Sequence, residues 1–183
     1  MSEFVVLGQR TFRERLEADL IRVIGNGNFR NDIKASEIEN KGVLTVSGLA
    51  RFKQLKNIGQ FTSDAIDCHS IMSKGYMYVN GDVIATDKVF STGTLKIQGT
   101  LTSPIISIKS DVLGRLFLGK RSYCNRIYGN DVYIESIKAL HVIGRVVKIG
   151  PNSHVSELHY SETFEIHSSS TVDKIIQRGE WSV

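Results

Sequence analysis

Histidines offer the first candidates for chemistry, because three neutral imidazoles can hold a catalytic zinc ion and leave a fourth position open. The chain has five, at His69, His141, His154, His159 and His167. His154 and His159 form the most suggestive pair, and His141 and His167 lie at equal distances along the chain on either side of His154. That distance is near, but not equal to, the repeat length described below, and no acidic residues recur where they would orient the rings. We therefore predict surface histidines at corners of the fold and no metal site.

A phosphate-binding loop is the second candidate. The segment from Gly114 through Gly119 to Lys120 satisfies the first seven positions of the P-loop motif. The next position requires Ser or Thr to hold magnesium, but Arg121 stands there. The leucines inside the segment also follow the strand pattern described below, whereas a P-loop leads into a helix. We therefore predict no nucleotide site and no cofactor.

Nucleophilic catalysis is the third candidate. No serine stands in a Gly-x-Ser-x-Gly motif, and none has the setting of a Ser-His-Asp triad. Cys68 and His69 are adjacent, and neighbouring residues of a strand point to opposite faces, so the two side chains would not meet. Cys68 is better interpreted as a small buried side chain. No catalytic residue emerges, and we predict that the protein is not an enzyme.

Composition narrows the class of protein. The chain has 183 residues, 41% of them hydrophobic, with Lys+Arg 23 against Asp+Glu 19. This excludes a wholly disordered chain, and no apolar run is long enough for a membrane-spanning helix. The cations are scattered, which argues against a nucleic-acid partner. Two cysteines cannot form a disulfide framework, and no secretory signal is visible, so we expect a cytoplasmic protein.

Recurring glycines dominate the sequence. One series recurs about every 17 residues, and self-similarity at a fixed period is typical of solenoid proteins. The series consists of Gly8, Gly25, Gly42, Gly59, Gly75, Gly93, Gly114, Gly129 and Gly144. A second series follows shortly after it, and the two enclose a repeated block that runs from Gly42 to Gly48, Gly75 to Gly81, Gly93 to Gly99 and Gly144 to Gly150.

Each block has apolar residues at alternating positions, such as Leu44 and Val46 or Leu95 and Ile97. Alternation with period two places both side chains on one face of a short strand. A β-sandwich would show turns at roughly 8- to 12-residue intervals without a fixed period. Since one coil cannot bury its apolar face, coils must stack, and we predict an all-β fold. The predicted architecture is a single-stranded parallel β-helix with coils of about 17 residues.

Residues 25–176 are predicted to form the β-helix, with an N-terminal cap or irregular first coil at 1–24 and a C-terminal tail at 177–183. The stretch Thr11–Ile24 allows either a short helix or strands, because Phe12, Leu16 and Leu20 recur at every fourth position. Trp181 is a candidate to cover or join one end of the solenoid.

An apolar run near the N-terminus, Phe4, Val5, Val6 and Leu7, has two interpretations. It is either a first strand that caps the solenoid or a weak membrane-surface anchor, since a few buried side chains give only reversible membrane binding. Its β-branched content favours the strand.

The sequence resembles the bactofilin family of bacterial polymer-forming cytoskeletal proteins in its glycine blocks, its repeated coil and one apolar run near the C-terminus. That run is Val155-x-x-Leu158-x-Tyr160, and it continues with Phe164, Ile166, Val172 and Ile175. The resemblance covers most of the chain. It implies a right-handed β-helix and a non-enzymatic scaffold that associates with itself, end to end, into filaments. It also implies contact with the inner membrane surface and with cell-envelope or motility proteins.

Two departures from the family are visible: the chain has only two prolines, whereas bactofilins carry proline-rich tails, and the step from Gly93 to Gly114 predicts a bulge or loop near Pro104. A competing hypothesis uses Ile137, Ile143, Ile149 and Val155, which recur at every sixth position. That spacing is typical of left-handed hexapeptide-repeat enzymes, which are trimeric zinc carbonic anhydrases or acyltransferases.

Overall fold

The computed structural model describes residues 2–109 and 121–179. Every regular element in these residues is a β-strand, and the strands join in one 15-stranded sheet with parallel pairing. The sheet winds into a β-solenoid of about 10 turns with coils of about 17 residues. The predicted all-β parallel β-helix is therefore confirmed.

Strand lengths vary because some strands bend around a corner without interruption and others stop there. The strands are β1 (Glu3–Val6), β2 (Gln9–Phe12), β3 (Leu16–Val23), β4 (Asn26–Phe29), β5 (Ile33–Asn40), β6 (Val43–Asn57), β7 (Gln60–Ser73), β8 (Tyr76–Val79), β9 (Val83–Ser91), β10 (Thr94–Thr102), β11 (Ile105–Ile108), β12 (Ser122–Ile134), β13 (Ile137–Ile149), β14 (His154–Ile166) and β15 (Thr171–Gln177).

The pairings divide each coil among three faces. Face 1 contains β2, β4 and β8. Face 2 contains the first halves of β3, β5 and β9. Face 3 contains the second halves of those three strands together with β1 and β11. The long strands β6, β7, β12, β13 and β14 contribute to all three faces. A residue on one face therefore lies directly above the residue one coil earlier, at the strand spacing of about 4.8 Å.

Aliphatic columns fill the interior, as the alternating pattern predicts. One column on face 3 is continuous through eight coils and consists of Ile21, Ile38, Leu55, Ile71, Val89, Ile106, Val132 and Val147. All of these side chains are buried. Each contributes about 1.5 to 3 kcal/mol by leaving water, so stacking stabilises coils that could not fold singly.

A polar ladder interrupts the apolar interior at the corner after face 3. Asn40 donates to the Asn57 side chain at 2.8 Å, and Asn57 donates to the Ser73 hydroxyl at 3.0 Å. Each asparagine also donates to a backbone carbonyl of the following coil, at Gln60 and Tyr76 respectively. The ladder satisfies buried polar atoms and ties successive coils together at the corner.

The N-terminal residues form strands rather than the alternative helix. Residues 11–24 lie within β2, β3 and the corners beside them. Strand β2 pairs with β4, and β3 pairs with both β1 and β5. Phe12 and Leu16 both pack against the core on either side of a corner, whereas Leu20 stacks between Glu3 and Glu37 outside the core, so the four-residue spacing does not mark one face.

The extra residues of the long coil lie later than predicted. Lys96 of β10 pairs with Tyr123 of β12, and Ile105 of β11 still pairs with Asp131 across the same enlarged step. The additional length therefore falls between Ile108, the end of β11, and Ser122, the start of β12, rather than near Pro104. Glycine spacing misplaced the insertion because Gly129, a later glycine of the series, lies inside β12, where it pairs with Gly144, rather than at the corner of the earlier glycines.

The competing six-residue register does not continue through the core. Ile137, Ile149 and Val155 belong to the main hydrophobic cluster, whereas Ile143, although buried, lies outside it and its neighbour Val142 takes that place. Strand β13 also pairs with β12 at an offset that is not a multiple of six, as between Ser122 and Ile137. Hexapeptide coils would place every sixth residue inside, so this register fails within one coil.

Candidate functional site

The N-terminal end of the solenoid exposes strand edges over an aromatic cluster. Strand β1 pairs only with β3, and β2 pairs only with β4, so each has one edge without a strand partner among the described residues. The rings of Phe4 and Phe12 lie 5.0 Å apart, and Phe12 stacks on Phe29 at 4.7 Å. Phe29 is fully buried, whereas Phe4 and Phe12 are only partly covered. The hydrophobic core therefore reaches this end of the molecule.

The run of four apolar residues near the N-terminus is split by strand alternation. Phe4, Val5 and Val6 lie in β1, and Leu7 follows it. Val6 is buried and Phe4 packs against the core, while Val5 and Leu7 are exposed by 43% and 61%. On the lateral surface of the first coil, it is therefore the outward pair, Val5 and Leu7, that is available to a membrane or a partner.

The C-terminal end has the same character. The segment Thr163–Ile166 of β14 pairs with β13 on one side and has no strand on its other side among the described residues. Phe164 continues the inward column above Val147 and is 36% exposed because no further strand covers it in the described part of the chain. Its ring lies 4.6 Å from that of Tyr160. Both ends thus combine unpaired backbone edges with apolar side chains, which is a template for association.

Six glycines form a ladder along the corner between faces 3 and 1. A Cβ atom built on any of Gly25, Gly42, Gly59, Gly75 or Gly93 would overlap the carbonyl oxygen of the glycine one coil earlier, beginning with Gly8. Backbones approach so closely here that only hydrogen fits. Gly48, Gly81 and Gly99 occupy the next corner, where Gly99 donates to the Gly81 carbonyl at 3.1 Å. Gly99 also faces the side chain of Asp82, and Gly48 that of Asp32.

The last glycines of the predicted series lie elsewhere. Gly144 pairs with Gly129 on one side and Tyr160 on the other, within face 2. Gly150 follows β13 and donates to the Ile134 carbonyl at 2.7 Å. The block from Gly144 to Gly150 therefore spans a different face from the blocks that begin at Gly42, Gly75 and Gly93.

The structure separates the two histidines that the sequence pairs. His154 lies on face 1, where its ring contacts Thr171 at 2.9 Å and Asp173 at 3.3 Å. His159 lies on face 2 and is almost completely buried. His69 is exposed and bonds to Thr86, and His167 bonds to Ser169.

A cluster of potential metal ligands forms around His159 instead. Ligand atoms of His141, Glu157 and His159 all lie within 4.8 Å of one another. Sequence spacing misses this cluster because His141 and Glu157 lie on adjacent coils, where strand pairing places one above the other. The sequence could reveal this cluster only through residues that occupy equivalent positions in adjacent coils, and identifying those positions requires the coil register.

The hydrogen bonds of this cluster argue against a metal. Arg178 Nε lies 2.7 Å from His159 Nδ1, and an arginine can only donate. Nδ1 is therefore the acceptor, and the neutral ring carries its proton on Nε2, which faces Glu157 at 3.2 Å. The bond from His159, with a further contribution from Lys174, holds the pKa of Glu157 below its ordinary value. The groups form a satisfied ladder of polar contacts.

The remaining sequence candidates bring no reactive group to the surface within the described ranges. Cys68 faces the core, and its neighbour His69 faces outward. The segment from Gly114 to Lys120 and Trp181 lie outside the described residues. Among the residues that are described, no helix is long and apolar enough to cross a bilayer.

Comparison of the chain with protein-family models, curated proteins and solved structures produced no match.

Proposed function

We propose that the protein is a non-enzymatic scaffold that associates end to end by stacking one solenoid on another, as its resemblance to bactofilins implies. The single observation that carries this proposal is the fit between the two ends of the spiral. The described strands begin on face 3 with β1 and end on face 2 with β15. The described strands therefore span whole turns, and a second copy stacked on the last of them continues the winding.

The strand that protrudes at the N-terminal end lies on the same face as the strand left uncovered at the C-terminal end. At the N-terminal end β1 stands alone in front of the first coil on face 3. At the C-terminal end face 3 is the one face that β15 does not reach, which leaves Thr163–Ile166 uncovered by any described strand. In a head-to-tail stack, Glu3–Val6 of one copy pairs with Thr163–Ile166 of the next. Strand β2 of the first copy then pairs with the start of β15 of the other copy, and the start of β3 pairs with the end of the same β15.

Burial of the end faces supplies the driving force. Stacking brings Phe4 and Phe12 of one copy against Phe164 and Val172 of the next, which end the same inward columns, and completes the backbone hydrogen bonds of both edges. Aromatic side chains are the main contributors to such interfaces. A membrane surface, or envelope and motility proteins, would then meet the lateral faces of the stack, with Val5 and Leu7 exposed beside the first coil.

The test compares two phenylalanines with similar exposure. Phe164 is 36% exposed at the C-terminal end, and Phe90 is 40% exposed on the side of face 3. We expect the wild-type protein to form filaments or large oligomers in negative-stain images and sedimentation velocity. Phe164→Lys places a charge in the stacking interface and should leave monomers, while Phe90→Lys should assemble normally.

Circular dichroism of both variants establishes that each is folded. A wild-type protein that remains a single monomeric species at high concentration, with and without salt, contradicts the proposal. Assembly that survives Phe164→Lys and is lost in Phe90→Lys would move the interface to the lateral face.

A further inference from the structure

A concave groove lies on face 1 in the C-terminal half of the solenoid. It encloses about 620 Å³ and crosses the successive coils of β10, β12, β13, β14 and β15. Its floor is a column in which Lys96, Tyr123, Lys138, His154 and Thr171 stack in register. The corner beside this column adds further lining residues, namely Arg121, Asn152, Ser153 and Ser169.

The described residues that line this groove include positively charged side chains but no negatively charged ones. Lys96, Arg121 and Lys138 line it, and no carboxylate is among the described lining residues. Among the described residues, Asp173 contacts the lining, at 3.3 Å from His154. Elsewhere on the solenoid cations commonly bridge coils to a carboxylate, as Arg145 does to Glu162 at 2.9 Å.

A second groove near the N-terminal end provides an internal comparison. It encloses about 560 Å³ and contains three cations, but also the carboxylates of Glu17, Asp19 and Asp67. Lys34 pairs with Glu17 at 2.7 Å, and Arg51 approaches Asp67 at 3.6 Å. Among the described lining residues, one groove therefore contains both cations and carboxylates, and the other contains cations without carboxylates.

We propose that the groove lined by Lys96, Arg121 and Lys138 binds a small soluble anion that carries phosphate groups. Three positive charges in one concavity neutralise an anion of two or more charges, which a phosphate ester or diphosphate supplies and a single carboxylate does not. A guanidinium fork and ammonium groups are the usual phosphate ligands of proteins. Tyr123, Asn152 and Thr171 add polar groups around the site.

The size and shape of the groove favour a small ligand over a membrane surface. Its volume lies within the range of about 300 to 1,000 Å³ typical of small-molecule sites. Its three described cations are also fewer than the roughly four to eight Lys and Arg that cluster in segments binding anionic membrane surfaces. This site is on a lateral face, so it does not depend on end-to-end association and stays accessible in a stack.

The experiment titrates inorganic diphosphate into the full chain by calorimetry, with sodium chloride adjusted to equal ionic strength as the blank. We expect saturable binding. Loss of one charge-assisted contact should weaken the affinity of Lys138→Gln and Arg121→Gln by about tenfold or more. Lys53→Gln is the matched control, since it removes one positive charge from the charge-balanced groove, and it should bind like the wild type.

Three results would overturn the assignment. One is diphosphate binding no stronger than the salt blank, and another is an equal loss of affinity in Lys53→Gln and Lys138→Gln. The third is binding only to vesicles of phosphatidylcholine and phosphatidylglycerol in equal amounts, with no response to diphosphate, which would identify a lipid headgroup as the ligand. Sedimentation of each variant in parallel separates this outcome from any change in assembly.

Discussion

At the scale of single residues, the two cysteines show how strongly the solenoid interior controls reactivity. Cys68 and Cys124 both face the core, and Cys124 donates to the Arg126 carbonyl at 3.1 Å. Burial raises the pKa of each thiol to about 12. The thiolate is the nucleophilic form of cysteine, so both side chains should be inert in the folded protein.

We predict that neither cysteine reacts with Ellman's reagent in the native protein at about pH 8, where about one thiol in ten thousand is ionised. In concentrated urea both should react completely and at the rate of a free thiol. Absorbance of the released thiolate measures both rates. Rapid labelling of one cysteine in the native protein would show that its coil opens.

The contacts of the histidines also differ from those that sequence spacing indicates. Sequence spacing linked His154 to His159, but the corner between faces 1 and 2 falls between them. His159 bonds instead to Glu157 of its own strand and to Arg178 of the next coil. In this solenoid, a residue's contacts therefore include residues one coil away as well as residues near it in the chain.

At the scale of elements, the glycine ladder determines how closely coils can stack at one corner. Gly59 lies between Gly42 and Gly75 in this ladder, and a Cβ atom built on it would overlap the carbonyl oxygen of Gly42. The neighbouring atoms are backbone, so they cannot move aside as a flexible side chain would. The corner therefore tolerates no side chain.

We predict that Gly59→Ala lowers the free energy of unfolding by about 1 to 3 kcal/mol or more, as overpacking does. Gly179→Ala is the control, because a Cβ atom there meets nothing within 4 Å. Urea denaturation followed by circular dichroism measures both changes. Equal stability of the two variants would mean that the coils can separate at this corner without cost.

At the scale of the whole molecule, ion pairs between coils cover the outside as the aliphatic columns fill the inside. Arg22 bridges Glu3 and Glu39 at 2.7 and 2.9 Å, and thereby joins three successive coils. The hydrogen bond from Arg22 lowers the pKa of Glu39 below its ordinary value of 4.5. The pKa of Asp19 is lowered chiefly by the backbone amide of Ser2. Such exposed pairs contribute modestly one by one.

We predict that these carboxylates make the protein less stable in acid. A group whose pKa is lower in the folded state stabilises the fold above its ordinary pKa, and that stabilisation is lost as pH falls through the folded value. The urea midpoint should therefore decrease as pH falls below about 4.5, and the decrease should be smaller in Glu39→Gln. A midpoint that rises in acid would contradict this.

Much of the fold follows from the order of residue types. Alternation of apolar and polar residues, with a regular period and glycines at the corners, predicts a parallel solenoid, because only stacked coils bury every inward side chain. The first six glycines of the series indeed share one corner. This much is local information, repeated often enough that single exceptions do not obscure it.

Register after the insertion is decided only by the tertiary structure. Spacing alone assigned Gly114, Gly129 and Gly144 to the corner series, yet Gly129 and Gly144 stack on each other within face 2. The same shift brings Lys96, Arg121 and Lys138 into one groove, although they are far apart in the chain. The physical reason is that pairing between coils depends on which inward side chains pack together and not on the number of residues between them.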